Sequence, residues 1–232
     1  MQKRFDILCM GIGCYDVVVR HLPADFMEQS VVPIGDITTS TGGDALNASV
    51  DLTRLGAKTG FLTVLGNDAW GKSVLADLAQ KGVDTSAVQV RDDFNTCVSY
   101  VLVEKNGDRH FAVNFPENPL PLHNSDISDE LLASTRHIHA ASCNALGSMD
   151  DELDVLFRRA HEMGVTTSMD TGADPTGRWF DRIRETIKYC DIFFPSHYEA
   201  AAYCGGETDV LKMKEFFRDK GVKIFGVKLG AD

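Results

Sequence analysis

Residues 42–66 open with Gly42-Gly43-Asp44-Ala45-Leu46-Asn47 and continue through Leu52, Arg54 and Leu55 to Gly56, then to Gly60-Phe61-Leu62-Thr63-Val64-Leu65. Apolar residues from Ala45 to Leu55 recur at helical spacing, and Gly56 supplies the stop. The run from Gly60 to Leu65 is too short and too uniformly apolar for an amphipathic helix, so it reads as a strand covered on both faces. A helix feeding a buried strand is the repeating unit of an α/β fold.

The same unit recurs on either side. Phe5 to Met10 reads as a strand, and Ala69 to Lys81 as a helix stopped by Gly82. Further on come a strand at Arg136 to Ala141, a helix at Asp150 to Met163 closed by Gly164, and a strand at Val165 to Met169. Pro175 suits the first turn of a helix. A strand at Asp191 to Phe194, a helix from Asp209 to Lys220 capped by Thr208, and a strand at Lys223 to Leu229 complete the series. The pattern predicts a Rossmann-like, mostly parallel sheet flanked by helices.

Two stretches break the alternation. Asp16 to Thr41 carries β-like Asp16-Val-Val-Val-Arg20 and Val31-Val-Pro-Ile34, while Thr96 to Val103 and Arg109 to Val113 flank an Asn106-Gly107 hairpin signal. These strands precede and separate the βα units, which predicts a small β-sheet lid over one edge of the main sheet. The expected division is an α/β core of residues 1–15, 42–90 and 116–232, with a lid of 16–41 and 91–115.

Charge narrows the partners. Lys and Arg number 23 against 34 Asp and Glu, a net charge of −11, so the mean field repels nucleic acid and anionic membranes. A small anion at a local glycine turn is still compatible with that field. No apolar run approaches the ~18 residues of a membrane span. The six cysteines form no C-x-x-C pair and mostly sit in apolar runs, as small buried hydrophobes of a reducing, cytoplasmic compartment do.

Gly11-Ile12-Gly13-Cys14-Tyr15-Asp16 follows the first strand, yet Asp16 stands where a dinucleotide fingerprint has its third glycine, and no helix follows at once. Asp16 reads either as a turn residue at a strand end or as a carboxylate that accepts hydrogen bonds from substrate hydroxyls. Gly42 and Gly43 permit positive φ and close approach of backbone to a ligand, or simply link two elements. Asn47, in the first helical turn, has an amide that both donates to and accepts from a polyol.

Taken in order, Gly42-Gly43-x-x-x-Asn47 through Arg54-Leu55-Gly56, Leu65-Gly66-Asn67-Asp68-x-x-Gly71 and Gly82-Val83-Asp84-Thr85 resemble the ribokinase-like (PfkB) family of carbohydrate kinases over nearly the whole chain. The resemblance implies ATP-dependent phosphorylation of a sugar hydroxyl with Mg²⁺. Asp16, Gly42, Gly43 and Asn47 would hold the sugar or related polyol, with the glycine pair as the hinge of the lid. It also implies that lid strands can pair between subunits in a homodimer. Ser196-His-Tyr-Glu199 resembles the family's N-x-x-E segment, with Ser196 in place of Asn; Glu199 would then act on Mg²⁺ through water. The same residues form a capping box, S-x-x-E. Val227-Lys228-Leu229-Gly230 resembles the segment beside the nucleotide, so Lys228 and Gly230 are candidate cofactor-binding residues.

Asp170 to Arg178 is expected only to line the cleft, and His137-x-His139 shares one strand face without a third ligand at suitable spacing. The general base is the larger gap. The family's G-A-G-D segment, which supplies an anion hole and a base, occurs nowhere in the 232 residues, and neither does a P-loop. The expectation is therefore an inactive fragment of a longer kinase. Two alternatives are a nucleoside or vitamin-precursor kinase of the same fold, and a noncatalytic sugar-binding or dimerising module.

Overall fold

A computed structural model describes residues 3–230. Its elements in chain order are β1 (Phe5–Met10), β2 (Cys14–Leu22), β3 (Asp36–Gly42), α1 (Asp44–Arg54), β4 (Thr59–Leu62), β5 (Val64–Gly66) and α2 (Ala69–Gln80). There follow β6 (Gln89–Arg91), β7 (Cys97–Glu104), β8 (Arg109–Asn114), α3 (Asp129–Ala133), β9 (Thr135–Cys143), α4 (Leu153–Glu162) and β10 (Thr166–Thr171). The last are α5 (Phe180–Ile183), β11 (Ile192–Phe193), α6 (His197–Tyr203), α7 (Val210–Arg218) and β12 (Ile224–Phe225).

The main sheet has six parallel strands in the order β12-β11-β10-β9-β1-β4. Strand β1 shows why its sequence is apolar throughout. Alternate side chains leave opposite faces of a strand. Cys9 packs with Ala45, Leu46 and Val50 of α1 and Val74 of α2, while Leu8 and Met10 join the larger core with Leu156 and Phe157 of α4. Both faces are thus covered, as a parallel sheet requires.

The second sheet has the order β3-β2-β7-β8. Its outer pairs are antiparallel and its central pair, β2 with β7, is parallel. The β7–β8 turn is the expected Asn106-Gly107, with Gly107 at φ +95° and the Gly107 N–H donating to Glu104 O. Among the described residues no helix is long and apolar enough to cross a membrane.

Several sequence expectations shift. The Val31-Val-Pro-Ile34 run is not a strand; the strand starts at Asp36, where Arg20 pairs with Asp36 across β2 and β3. Pro33 has no N–H to contribute to a ladder. The run from Gly60 to Leu65 breaks at Thr63, because β5 leaves the main sheet to pair with β6. Pro175 does not open a helix. Asp174 instead accepts from the N–H groups of Thr176 and Trp179, closing a turn ahead of α5. Asp209, not Thr208, caps α7, accepting from Leu211 N–H. Strand β12 is only Ile224–Phe225, with Lys228 rejoining the fold through a lone bridge to Ser196.

Candidate functional site

The site lies at the C-terminal ends of the central strands, the usual ligand position of an α/β sheet. A cavity of about 320 Å³ is walled by Ile12 after β1, Ser142 and Ala145 at the end of β9, Gly172 after β10, and Gly43 and Asp44 at the start of α1. The small sheet forms the opposite wall. Cys14 and Asp16 of β2 alternate onto one face, and their β7 register partners Cys97 and Ser99 stand beside them. Val113 and Phe115, from β8 and the residue just past it, extend that face.

Asp16 is half-buried, and burial pushes its carboxyl above the usual carboxylate range. The Cys14 thiol, 3.6 Å from Oδ1, donates to it and partly offsets that push. Gly42 is buried against this carboxylate; a Cβ there would collide with Asp16 Oδ2. Gly43 has φ +101°, and a Cβ there would collide with the Ile12 carbonyl oxygen. The glycine pair therefore lets the backbone turn from β3 into α1 while pressing on both Asp16 and the chain leaving β1.

Asp16, Gly42 and Gly43 are thus brought together. Asn47 is placed differently. It lies in the first turn of α1, exposed, with its backbone N–H donating to Gly43 O at 2.9 Å. It is three residues from Asp44, hence on the same helix face one turn further on, and does not contribute to the cavity wall.

Several wall residues are not singled out by the sequence. Asp44 is exposed in the first turn of α1 and accepts from Ser142 Oγ at 2.5 Å. Ser142 itself has φ +60°, a conformation no local motif announces. Cys14 and Ser99 follow from strand alternation once Asp16 is taken to face a ligand. Behind this wall, buried Asn144 at φ +80° donates through Nδ2 to Gly172 O at 3.0 Å and Tyr203 Oη at 2.6 Å. The Asp150 carboxylate accepts from the N–H groups of Asn144 and Leu146 and from Arg182. Burial pushes Asp150 above its ordinary range, with those donors drawing it back.

A second group of candidates sits beyond β10 and β12. The Lys228 ammonium lies 2.5 Å from Asp170 Oδ1, so Asp170 does more than line the cleft. Burial raises the Asp170 carboxyl; Lys228 draws it down and Asp44 pushes it up. Gly230 stands at φ +83° with open space where a Cβ would lie.

Glu199 is 9% exposed and completes the expected capping box: Ser196 Oγ accepts from Glu199 N–H, and Ser196 N–H donates to Glu199 Oε2 at 2.8 Å. Thr171 Oγ1 donates to the same oxygen at 3.3 Å. No partner for Oε1 is found among the described residues.

Among the described residues no group of three or more His, Cys, Asp or Glu side chains is placed to hold a metal. One spare carboxylate oxygen fits a Mg²⁺ that keeps its own waters and is shared with phosphates, rather than a protein cage. His137 and His139 both contact Ser168 Oγ, at 2.7 and 2.8 Å, and His137 also contacts Thr166 Oγ1. Their rings tie β9 to β10. Burial pushes both down to about 4.

A family model described as "pfkB family carbohydrate kinase" matches residues 4–232. The chain is 28% identical over 232 residues to an ATP-dependent ribose-1-phosphate kinase of Halopiger xanaduensis, covering 97% of this chain and 71% of that protein. It is 25% identical to a ribokinase of Haemophilus influenzae, covering 82% of this chain and 61% of the relative. A crystal structure of a PfkB protein from Polaromonas sp. JS666 superposes with a TM-score of 0.84 at 24% identity, covering 98% of this chain and 77% of the other. With a match from residue 4 to residue 232 on a fold of this architecture, the chain belongs to the PfkB family of carbohydrate kinases.

Proposed function

We propose that the protein serves ATP-dependent phosphorylation of a sugar hydroxyl, and that the cavity between Asp16 and the start of α1 takes the acceptor. The observation that carries this reading is the shared wall: a carboxylate from the small sheet and the Gly43-Asp44 helix start from the main body face one cavity. Two carboxylates accept hydrogen bonds from adjacent hydroxyls, and such charge-assisted bonds orient a polyol. Gly42 and Gly43 are the pivot on which the small sheet closes as a lid. Asn47, one turn along α1, reaches the acceptor when the lid is shut.

ATP supplies the phosphoryl group and Mg²⁺ neutralises charge on it as it moves. Lys228 and Gly230 are the proposed nucleotide contacts, with Asp170 holding the Lys228 ammonium until a phosphate competes for it. Glu199 would hold Mg²⁺ through water by its spare oxygen while its other oxygen caps α6. The G-A-G-D segment that supplies the base in the family resemblance is not among the 232 residues. We therefore propose that these residues bind acceptor and nucleotide but do not turn over by themselves.

A nucleoside acceptor is the second reading. Its support is the apolar part of the wall, where Phe115, 51% exposed, and Val113 offer a surface on which a planar base can lie. A homodimer through the lid accords with exposed Tyr100, Phe111 and Val113 on β7 and β8, and free cysteines accord with a cytoplasmic setting. A thermal-shift screen with D-ribose, D-fructose, uridine and ATP tests the reading, because stabilisation grows with ligand concentration over Kd. A sugar that raises Tm supports it; a rise with uridine alone favours the nucleoside reading. No shift with any acceptor removes both.

A further inference from the structure

Two cysteines face one another in the wall of the acceptor cavity. Cys14 opens β2, Cys97 opens β7, and the two are register partners on adjacent parallel strands. Register partners send their side chains to the same side of a sheet, and adjacent strands lie about 4.8 Å apart. That spacing falls inside the ~4.4–6.8 Å between Cα atoms that a disulfide spans. Both thiols are free and wall the cavity, at 7% and 3% exposure. The remaining cysteines take no part in that wall.

The chemistry of the pair is uneven. The neighbouring Cys97 pushes the Cys14 thiol up, and burial adds to this. The same contact draws Cys97 below the ordinary thiol range, against burial and the nearby Asp16. Cys14 directs its proton at the Asp16 carboxylate 3.6 Å away, whose charge opposes a thiolate there, which leaves Cys97 as the nucleophile and Cys14 as the resolving thiol.

We propose that Cys14 and Cys97 form a reversible oxidation site within the acceptor cavity, closed to a disulfide by an oxidant of the peroxide class. The Cys97 sulfur attacks one peroxide oxygen and the O–O bond breaks. The departing hydroxide leaves as water with the proton lost by Cys97, which becomes a sulfenic acid. The Cys14 sulfur then attacks the sulfenic sulfur, the S–O bond breaks, and hydroxide takes the Cys14 proton as a second water. The two thiols together lose two electrons and two protons, and the peroxide is reduced to two waters; a dithiol reductant reverses the bond. Oxidation removes the thiol proton that Cys14 directs at Asp16 Oδ1. An acceptor in the cavity covers both sulfurs and slows the reaction; this shielding alone rests on the acceptor reading.

The test treats the full chain carrying Cys204→Ser with hydrogen peroxide, with and without D-ribose, D-fructose or uridine, and maps the products by non-reducing peptide mass spectrometry. The expected product links Cys14 to Cys97 and is reopened by dithiothreitol. In the additional Cys14→Ser background the expected product is a Cys97 sulfenic acid trapped by dimedone. A bound acceptor at ten times its Kd slows linkage about tenfold, the inverse of the fraction left free. Cys97 passing to sulfinic acid without a link, or both thiols surviving exposures that oxidise glutathione, overturns the proposal. Linkage that no acceptor slows upholds the dithiol site and counts against the acceptor reading alone.

Discussion

The Asp16 carboxylate fills the space in which a side chain on Gly42 would begin. One residue is an acid on the small sheet and the other is the last residue of β3, next to the turn into α1. The fit makes Gly42 a requirement of where Asp16 points rather than of backbone conformation. Gly42→Ala is expected to displace the carboxylate while leaving the fold intact. Hydrogen bonds to a charged group contribute about 1.5–3 kcal/mol, so acceptor affinity by isothermal titration should fall roughly 10- to 100-fold. Unchanged affinity would mean that Asp16 does not need this position.

Gly43 has a different constraint. Its φ of +101° and the Ile12 carbonyl where a Cβ would sit make Gly43→Ala strained whatever the ligand state. The expected loss is about 1–3 kcal/mol, read as a lower urea midpoint at constant m.

His137 and His139 give the protein a pH dependence. Burial pushes both rings down to about 4, with His139 repelling His137 and Lys228 repelling His139, while Asp191 and Asp44 pull the other way. The unfolded chain takes up these protons near pH 6.5 and the folded chain resists until about 4. Stability is therefore expected to fall as pH drops through that window, by at most about 1.4 kcal/mol per pH unit for each histidine. Replacing both by Gln should flatten the Tm profile between pH 6.5 and 4.5; an unaltered slope would assign it to carboxylates.

Ser196 and Glu199 separate a structural role from a functional one. Ser196→Ala removes the hydroxyl that accepts from Glu199 N–H and is expected to cost about 1 kcal/mol. Glu199→Gln keeps the reciprocal cap, since Gln serves equally in that box, and should leave Tm nearly unchanged. ATP affinity measured over a Mg²⁺ series is expected to weaken in Glu199→Gln. An identical Mg²⁺ dependence would leave Glu199 as a cap only.

Much of this was legible in the residues themselves. The buried strands and the Gly-stopped helices α1, α2 and α4 follow from local periodicity, and the Asn106-Gly107 turn from the positive φ it demands. That a separate small sheet exists is legible, but Val31 to Ile34 reads as one of its strands because β-branched residues look alike in strands and in extended loops. Gly42 and Gly43 are legible because they stand at the junction of β3 and α1, whereas Asp16, which the sequence offers as a turn residue at a strand end, lies inside β2, paired with Ser40 and Ser99. Asp44 and Ser142 are not legible, since their meeting joins residues 98 positions apart. The Lys228 to Asp170 pair was hidden for the same reason, because it depends on how far β12 extends.

Whether Asp16 holds the acceptor decides the proposed function. Isothermal titration of D-ribose, D-fructose and uridine into the native chain and into Asp16→Asn measures this directly. The expected result is that an acceptor binds the native chain and that its Kd rises about 10- to 100-fold in Asp16→Asn, with the fold unchanged by circular dichroism. Equal affinity in the two proteins would contradict it.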